Sequence, residues 1–191
     1  MPVRYRSAIA AVAAAVTLLA GGCASSGVRE GPAELMPEIF GEPSATAIAR
    51  MQATAGSRVE GRVTFAQFGP VLVIRASFIG LSPNREYGLH VHERGDCRDN
   101  GAAAGQHFNP GGAPRGRPGR GAHHAGDLPN LRTDGEGNVA YLFQTTALSL
   151  AGGPNGVTGR SVLVSRDADD NQSQPDGNGG PPLACGFIRL N

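Results

Sequence analysis

Hydrophobic positions in this chain recur with a period of two over short runs, and the three-to-four spacing of an amphipathic helix is not sustained. In SRVEGRVTF, Val59, Val63 and Phe65 share one parity. The runs VLVIRASFIGL, EYGLHVHE, GNVAYLFQTT, SVLVS and ACGFIRL follow, broken by turn signals such as Asp134-Gly135-Glu136-Gly137. Short strands at regular intervals predict an all-β sandwich or flattened Greek-key barrel. Two segments lack strand character, Glu93 to about Leu128 and Arg166 to Pro182. Loops that long in a compact domain are usually functional or disordered, and the reactive side chains lie in and beside these two.

The N-terminal part has a different texture. Arg4 and Arg6 precede an apolar run from Ile9 to Ala20. That run is too short for an ordinary transmembrane span and has the form of an export signal over residues 1–22. It ends in Leu18-Leu19-Ala20-Gly21-Gly22-Cys23, which resembles a bacterial lipoprotein cleavage box with its Leu one position further from Cys23 than usual. Lipidation of Cys23 is the expectation, and ordinary secretion with cleavage near Ala24 is the alternative. Ser25, where an Asp would favour retention, points to the outer membrane. Residues 23–43 are polar and rich in Gly and Pro, and read as a flexible tether. The folded domain is expected over 44–191.

Composition agrees with a loop-rich β protein: Gly 29, Pro 14 and no Trp. The formal net charge of +1 excludes the strongly basic balance of a nucleic-acid-binding domain. With Cys 3, a lipidated Cys23 leaves Cys97 and Cys185 as an even pair in an oxidising compartment. No interface patch in the sequence fixes an oligomeric state.

Candidate chemistry lies in the histidines. In Tyr87-Gly88-Leu89-His90-Val91-His92, Tyr87, Leu89 and Val91 share the core parity, which leaves His90 and His92 together on the other face, with Cα atoms about 6.5 Å apart. His107 follows in Gly105-Gln106-His107-Phe108-Asn109-Pro110, and His123 and His124 follow in His123-His124-Ala125-Gly126-Asp127. A lone His-x-His on a strand is often surface. Joined by His107 and a His-x-x-Asp in one loop, it suits copper or zinc.

Taken together, four stretches resemble the copper/zinc superoxide dismutase family, in its bacterial periplasmic branch. They are Gly88-Leu89-His90-Val91-His92-Glu93-Arg94-Gly95-Asp96-Cys97, Gly105 to Pro110, His124 to Pro129, and Gly177-Asn178-Gly179-Gly180 leading to Leu183-Ala184-Cys185-Gly186. The resemblance implies an eight-stranded Greek-key flattened barrel, an immunoglobulin-like sandwich, with two long functional loops and its metals outside the barrel wall. It implies copper on His90, His92 and His107, and zinc on His107, His124 and Asp127. His107 is then the bridging imidazolate and the catalytic proton carrier. It implies that Asp169 orients His90, that Cys97 and Cys185 form a disulfide, and that superoxide is the substrate.

The pattern is incomplete. The family set needs six His, and the chain has His 5. Ser165 stands where the fourth copper His belongs, no His lies near Ala113 to Gly116 for the second zinc His, and Pro182 stands where an Arg docks the anion. His123 is a possible zinc substitute, restrained by its neighbour His124, with a surface role as the alternative. Arg115, Arg117 and Arg120 either supply the missing positive charge or form a solvated Arg/Gly segment, the latter being the preferred reading. Two functions follow: a periplasmic superoxide dismutase weakened at copper, or a non-catalytic copper or zinc buffer or chaperone on the same fold. Zinc alone, or copper alone on three His, is allowed by either. A purely structural module is disfavoured by the ligands that remain.

Overall fold

The computed structural model describes residues 41–191; the expected leader, Cys23 and the tether up to residue 40 lie outside the described residues. Eight strands form: β1 (Ala45–Ala53), β2 (Glu60–Phe68), β3 (Val71–Ile79), β4 (Glu86–His92), β5 (Asp127–Arg132), β6 (Tyr141–Thr145), β7 (Ser161–Ser165) and β8 (Pro182–Leu190). All pairings are antiparallel, in the order β5-β4-β7-β8-β1-β2-β3-β6. The edges β5 and β6 are consecutive in sequence, and an isolated Thr133–Val139 bridge beside the Asp134–Gly137 turn draws them together. The sheet therefore curls into a nearly closed, flattened barrel, as the alternation predicted. The neighbours β4–β7, β8–β1 and β3–β6 are the Greek-key crossings.

The period-two pattern builds the core directly. Val63 and Phe65 of β2, Leu72 and Ile74 of β3, and Ile188 of β8 are fully buried, and burying each such side chain contributes about 1.5–3 kcal/mol. One polar side chain shares this inward parity. Gln67 accepts the Leu150 N–H at Oε1 (3.0 Å) and donates from Nε2 to the Gly69 carbonyl (2.8 Å). That fastens the segment carrying the buried Leu148, Leu150 and Val157 over one end of the barrel.

Two strands were not marked by the sequence pattern. β1 puts Ala47, Ala49 and Met51 on its core face and Ile48 on the other, which blurs the contrast. β5 begins inside the stretch expected to be loop and contains Pro129, which cannot donate to a ladder. It is tolerated because β5 is an edge strand with a register shift against β4.

The first long loop is tied to the barrel by the Cys97–Cys185 disulfide, with Cα atoms 5.7 Å apart. Cys97, Cys185, Ala104 and Leu163 make a small apolar cluster outside the main core. It seats the 3-10 turn Asp99–Ala104 on β7 and β8. Gly101 in this turn has φ 89°, and a Cβ there would sit 3.0 Å from Leu163 Cδ2.

Candidate metal centre

The alternation of β4 sends His90 and His92 away from the barrel interior, but that face is covered by the long loops. His90 is 0% exposed, opposite Asp127 on β5 and Leu163 on β7. The segment around His107 runs beside β4. Arg94 N–H donates to Ala104 O (2.9 Å), Glu93 N–H to Gln106 O (3.0 Å) and Phe108 N–H to Val91 O (2.8 Å). Gly126 N–H then donates to Phe108 O (2.7 Å), and Val91 N–H donates to Gly126 O (2.9 Å). A Cβ on Gly126 would come within 2.9 Å of Phe108 N and collide with the Val91 carbonyl. Glycine at 126 is thus what lets the loop return close enough to set Asp127 beside His107.

These constraints bring the expected ligands together. The ligand atoms of His90, His92 and His107 lie within 4.8 Å of one another, as do those of His107, His124 and Asp127. The rings of His90 and His107 stack with centroids 3.9 Å apart, and His92 meets His107 edge-on at 4.9 Å. His90 Nε2–H donates to Asp169 Oδ2 at 2.6 Å, leaving Nδ1 buried without a hydrogen-bond partner. His92 Nδ1–H donates to Gly105 O at 2.9 Å, leaving Nε2 free. Burial depresses both imidazoles: His90 to about 4, against the opposing hydrogen bond to Asp169, and His92 to about 3, helped by His107. Both are neutral near pH 7, the state that binds metal. A buried ring nitrogen with no partner is costly unless something takes its lone pair, so the donor set fits copper.

The zinc side differs. Asp127 Oδ1 accepts Arg115 Nη1–H at 2.7 Å and lies 2.9 Å from His107 Nδ1. Nη1 also abuts His107 Nδ1, and Nη2 donates to Asp169 Oδ2. The Arg115 side chain is wholly buried. The preferred reading of a solvated Arg/Gly segment is therefore corrected for Arg115, while Arg117 and Arg120 are exposed as expected. Burial pushes the Asp169 carboxyl up, but the hydrogen bonds from His90 and Arg115 outweigh it and hold it well below the usual carboxylate range. Burial lowers His124, whose Nδ1 has no partner and lies 3.8 Å from Asp127 Oδ1. His123 Nδ1 faces Gly121 O at 3.0 Å, and the residue belongs to none of the ligand clusters among the described residues. Although His107, His124 and Asp127 converge, a guanidinium nitrogen lies against two of the expected zinc-ligand atoms, His107 Nδ1 and Asp127 Oδ1, so with Arg115 in this position the site does not fit zinc.

Ser165 and Pro182 pair across β7 and β8, and with His92, His107 and Asp176 they line a cleft of about 260 Å³. Asp176 is the carboxylate facing this cleft, and the described cleft lining contains no Arg. Among the described residues of the site, sequence reasoning misplaced Arg115. The available signal was its position in the short stretch where the second zinc His was expected and absent.

Comparison with known proteins gives a consistent result. Residues 59–188 match the family model described as copper/zinc superoxide dismutase. The chain is 40% identical over 140 residues to the copper-zinc superoxide dismutase of Cordyceps militaris, covering 69% of this chain and 90% of that one. It is 38% identical over 152 residues to that of Saccharomyces cerevisiae, covering 75% and 97%. The solved structure of the clock protein EA4 superposes with a TM-score of 0.70 at 33% identity, covering 78% of this chain and 96% of that one.

Proposed function

Because the chain belongs to the copper/zinc superoxide dismutase family, we propose that it is a periplasmic copper-binding protein of the bacterial branch that dismutates superoxide weakly. The family uses copper and zinc, and the histidine cluster of this chain can bind metal. The observation that carries the reading is the convergence of His90, His92 and His107, with His90 Nδ1 unpartnered, beside a cleft that Ser165 and Pro182 help to line. Copper, when bound, supplies the one-electron redox chemistry.

The chain's own groups set how well that chemistry proceeds. Asp169 fixes His90 so that Nδ1 faces the site, and the Gly105 carbonyl does the same for His92 Nε2. Ser165 is a poor copper ligand, so copper bound here would rest on the imidazoles of His90, His92 and His107. Pro182 brings no charge, and Asp176 opposes the approach of an anion. A fixed positive charge changes such encounter rates by roughly 10–10³. Both losses slow turnover, while His90, His92 and His107 remain to hold copper. That same pair of losses favours the second reading, a copper or zinc buffer or chaperone without turnover.

The chain is exported by residues 1–22 and held at the outer membrane by lipid on Cys23. This rests on the apolar run and the small residues before Cys23. Mass spectrometry of the mature N-terminus tests it, since an unmodified terminus near Ala24 would show ordinary secretion.

The activity test is superoxide removal by the copper-loaded protein in the presence of a chelator that silences free copper. The expected result is a rate above the chelated blank and well below that of Ser165→His/Pro182→Arg. Removal by the wild type equal to that of the double variant would refute the weakening argument. No removal by the wild type, with copper retained, would favour the buffer.

A further inference from the structure

The geometry points to Arg115 as a built-in replacement for the zinc ion, so that the chain holds metal on its copper side only. The inference depends on the family's zinc position but not on the copper reading, because the two metals are counted separately.

The argument begins from charge. Asp127 and Asp169 are 1% and 5% exposed. Two buried carboxylates need a cation. In a zinc-loaded site the metal meets that need at Asp127. Here the guanidinium of Arg115 meets it at both carboxylates, with Nη1 2.7 Å from Asp127 Oδ1 and Nη2 on Asp169 Oδ2. Arginine keeps its charge at any accessible pH, and its planar fork suits this bridging geometry. Zinc would have to bind where a buried positive charge already lies, and displacing that charge would strand it without partners.

The covering of the site is shaped to this side chain. Gly177 has φ 67°, and a Cβ there would collide with both Asp169 Oδ1 and Arg115 Nη2. Asn171 N–H donates to Asp169 Oδ1 at 2.6 Å and completes that carboxylate. What remains of the zinc set is His124 Nδ1 and Asp127 Oδ2, each buried without a hydrogen-bond partner.

The arrangement also changes the role of His107. His107 Nδ1 lies between Asp127 Oδ1, an acceptor at 2.9 Å, and Arg115 Nη1, a donor, so protein groups already occupy the side of the ring that would face zinc. His107 then offers Nε2 alone, its ring oriented by Asp127 and Arg115. It does not bridge two metals.

The test uses the purified full-length mature protein, stripped of metal, then dialysed against zinc alone or against cobalt(II) as a spectroscopic stand-in. Metal content is measured for the wild type, His124→Ala, His92→Ala and Arg115→His. The expected result is that the wild type binds no zinc that depends on His124 and shows no visible bands of four-coordinate cobalt at that position. Any zinc taken up by the wild type is lost in His92→Ala instead. Arg115→His is expected to gain one zinc per chain, at least about a hundredfold tighter than any binding by the wild type. Wild-type zinc that disappears in His124→Ala overturns the inference, with no need for Arg115→His to fold. A folded Arg115→His that gains no zinc also overturns it. Failure of the copper reading would appear separately, as a wild-type protein that retains no copper.

Discussion

Replacing both Cys97 and Cys185 with Ala tests how the first long loop is held. The disulfide spans a sequence separation of 88. In the chain-entropy model a loop of that size stabilises the fold by about 4.5 kcal/mol, all of it through the unfolded state. For a domain with a urea m-value of about 2 kcal/mol/M, this lowers the unfolding midpoint by about 2 M. The metal site is expected to respond differently. The loop has other attachments next to it: Arg94 N–H to Ala104 O (2.9 Å), Arg94 Nε–H to Ala103 O (2.8 Å) and Glu93 N–H to Gln106 O (3.0 Å). The contact between His92 Nδ1 and Gly105 O lies beyond them. In conditions where the variant is still folded, copper affinity should therefore stay within about threefold of wild type, under 1 kcal/mol. Urea titration and competition against a copper chelator give the two numbers. A midpoint shift under about 0.5 M, which is about 1 kcal/mol, would refute the entropic account. A large loss of copper affinity in the folded variant would show that the bridge, rather than the hydrogen bonds, sets the loop.

Three further outcomes are expected. Asp169→Asn must turn an amide donor toward either the Arg115 and His90 donors or the Asn171 N–H; it should destabilise by about 2–4 kcal/mol in urea titration. Gln67→Leu keeps the apolar packing but leaves the Leu150 N–H without its acceptor; thermal melts should show a loss of about 1–3 kcal/mol. Hydrogen bonds from Ser173 and Gln172 hold the Asp170 carboxyl down at about 2, from 3.8. Its contribution is present above pH 3.8 and lost as pH falls toward 2, so acid titration of Asp170→Asn should lack that part of the decline.

The barrel was legible because most strands alternate cleanly between a core face and a polar face. β1 and β5 were hidden for physical reasons, Ala on the inward face of one and Pro129 at the edge position of the other. The convergence of His90, His92 and His107 was readable from the His90–His92 spacing and from motifs lying in order along the chain. Arg115 was not, because burial of an Arg cannot be read from a run of Gly, Pro and Arg. It depends on Asp127, Asp169 and Gly177, which are far from it in sequence and converge only when the loops between β4 and β5 and between β7 and β8 close over the same spot.

That convergence gives Arg115 a structural role that a metal ion would otherwise fill. Its Nη1 reaches Asp127 at the start of β5 and its Nη2 reaches Asp169 in the loop after β7, so one side chain joins two loops that have no strand pairing with each other. Asp169 passes the link on: its N–H donates to Asn130 Oδ1 at 3.0 Å, and its carbonyl accepts from Asn130 Nδ2 at 3.0 Å. A loop organised by a dissociable ion loosens when the ion leaves, whereas one organised by a covalently attached guanidinium does not. Amide hydrogen exchange of the metal-free protein should therefore find Asp169 and Asn171 protected, with rates that change little on adding zinc. In Arg115→Met the buried carboxylates lose their cation, and the same amides should exchange at least about tenfold faster, equivalent to 1.4 kcal/mol or more of lost local stability. Equal protection in the variant and the wild type would mean that the Asn130 contacts alone order the loop, and the structural role assigned to Arg115 would fail.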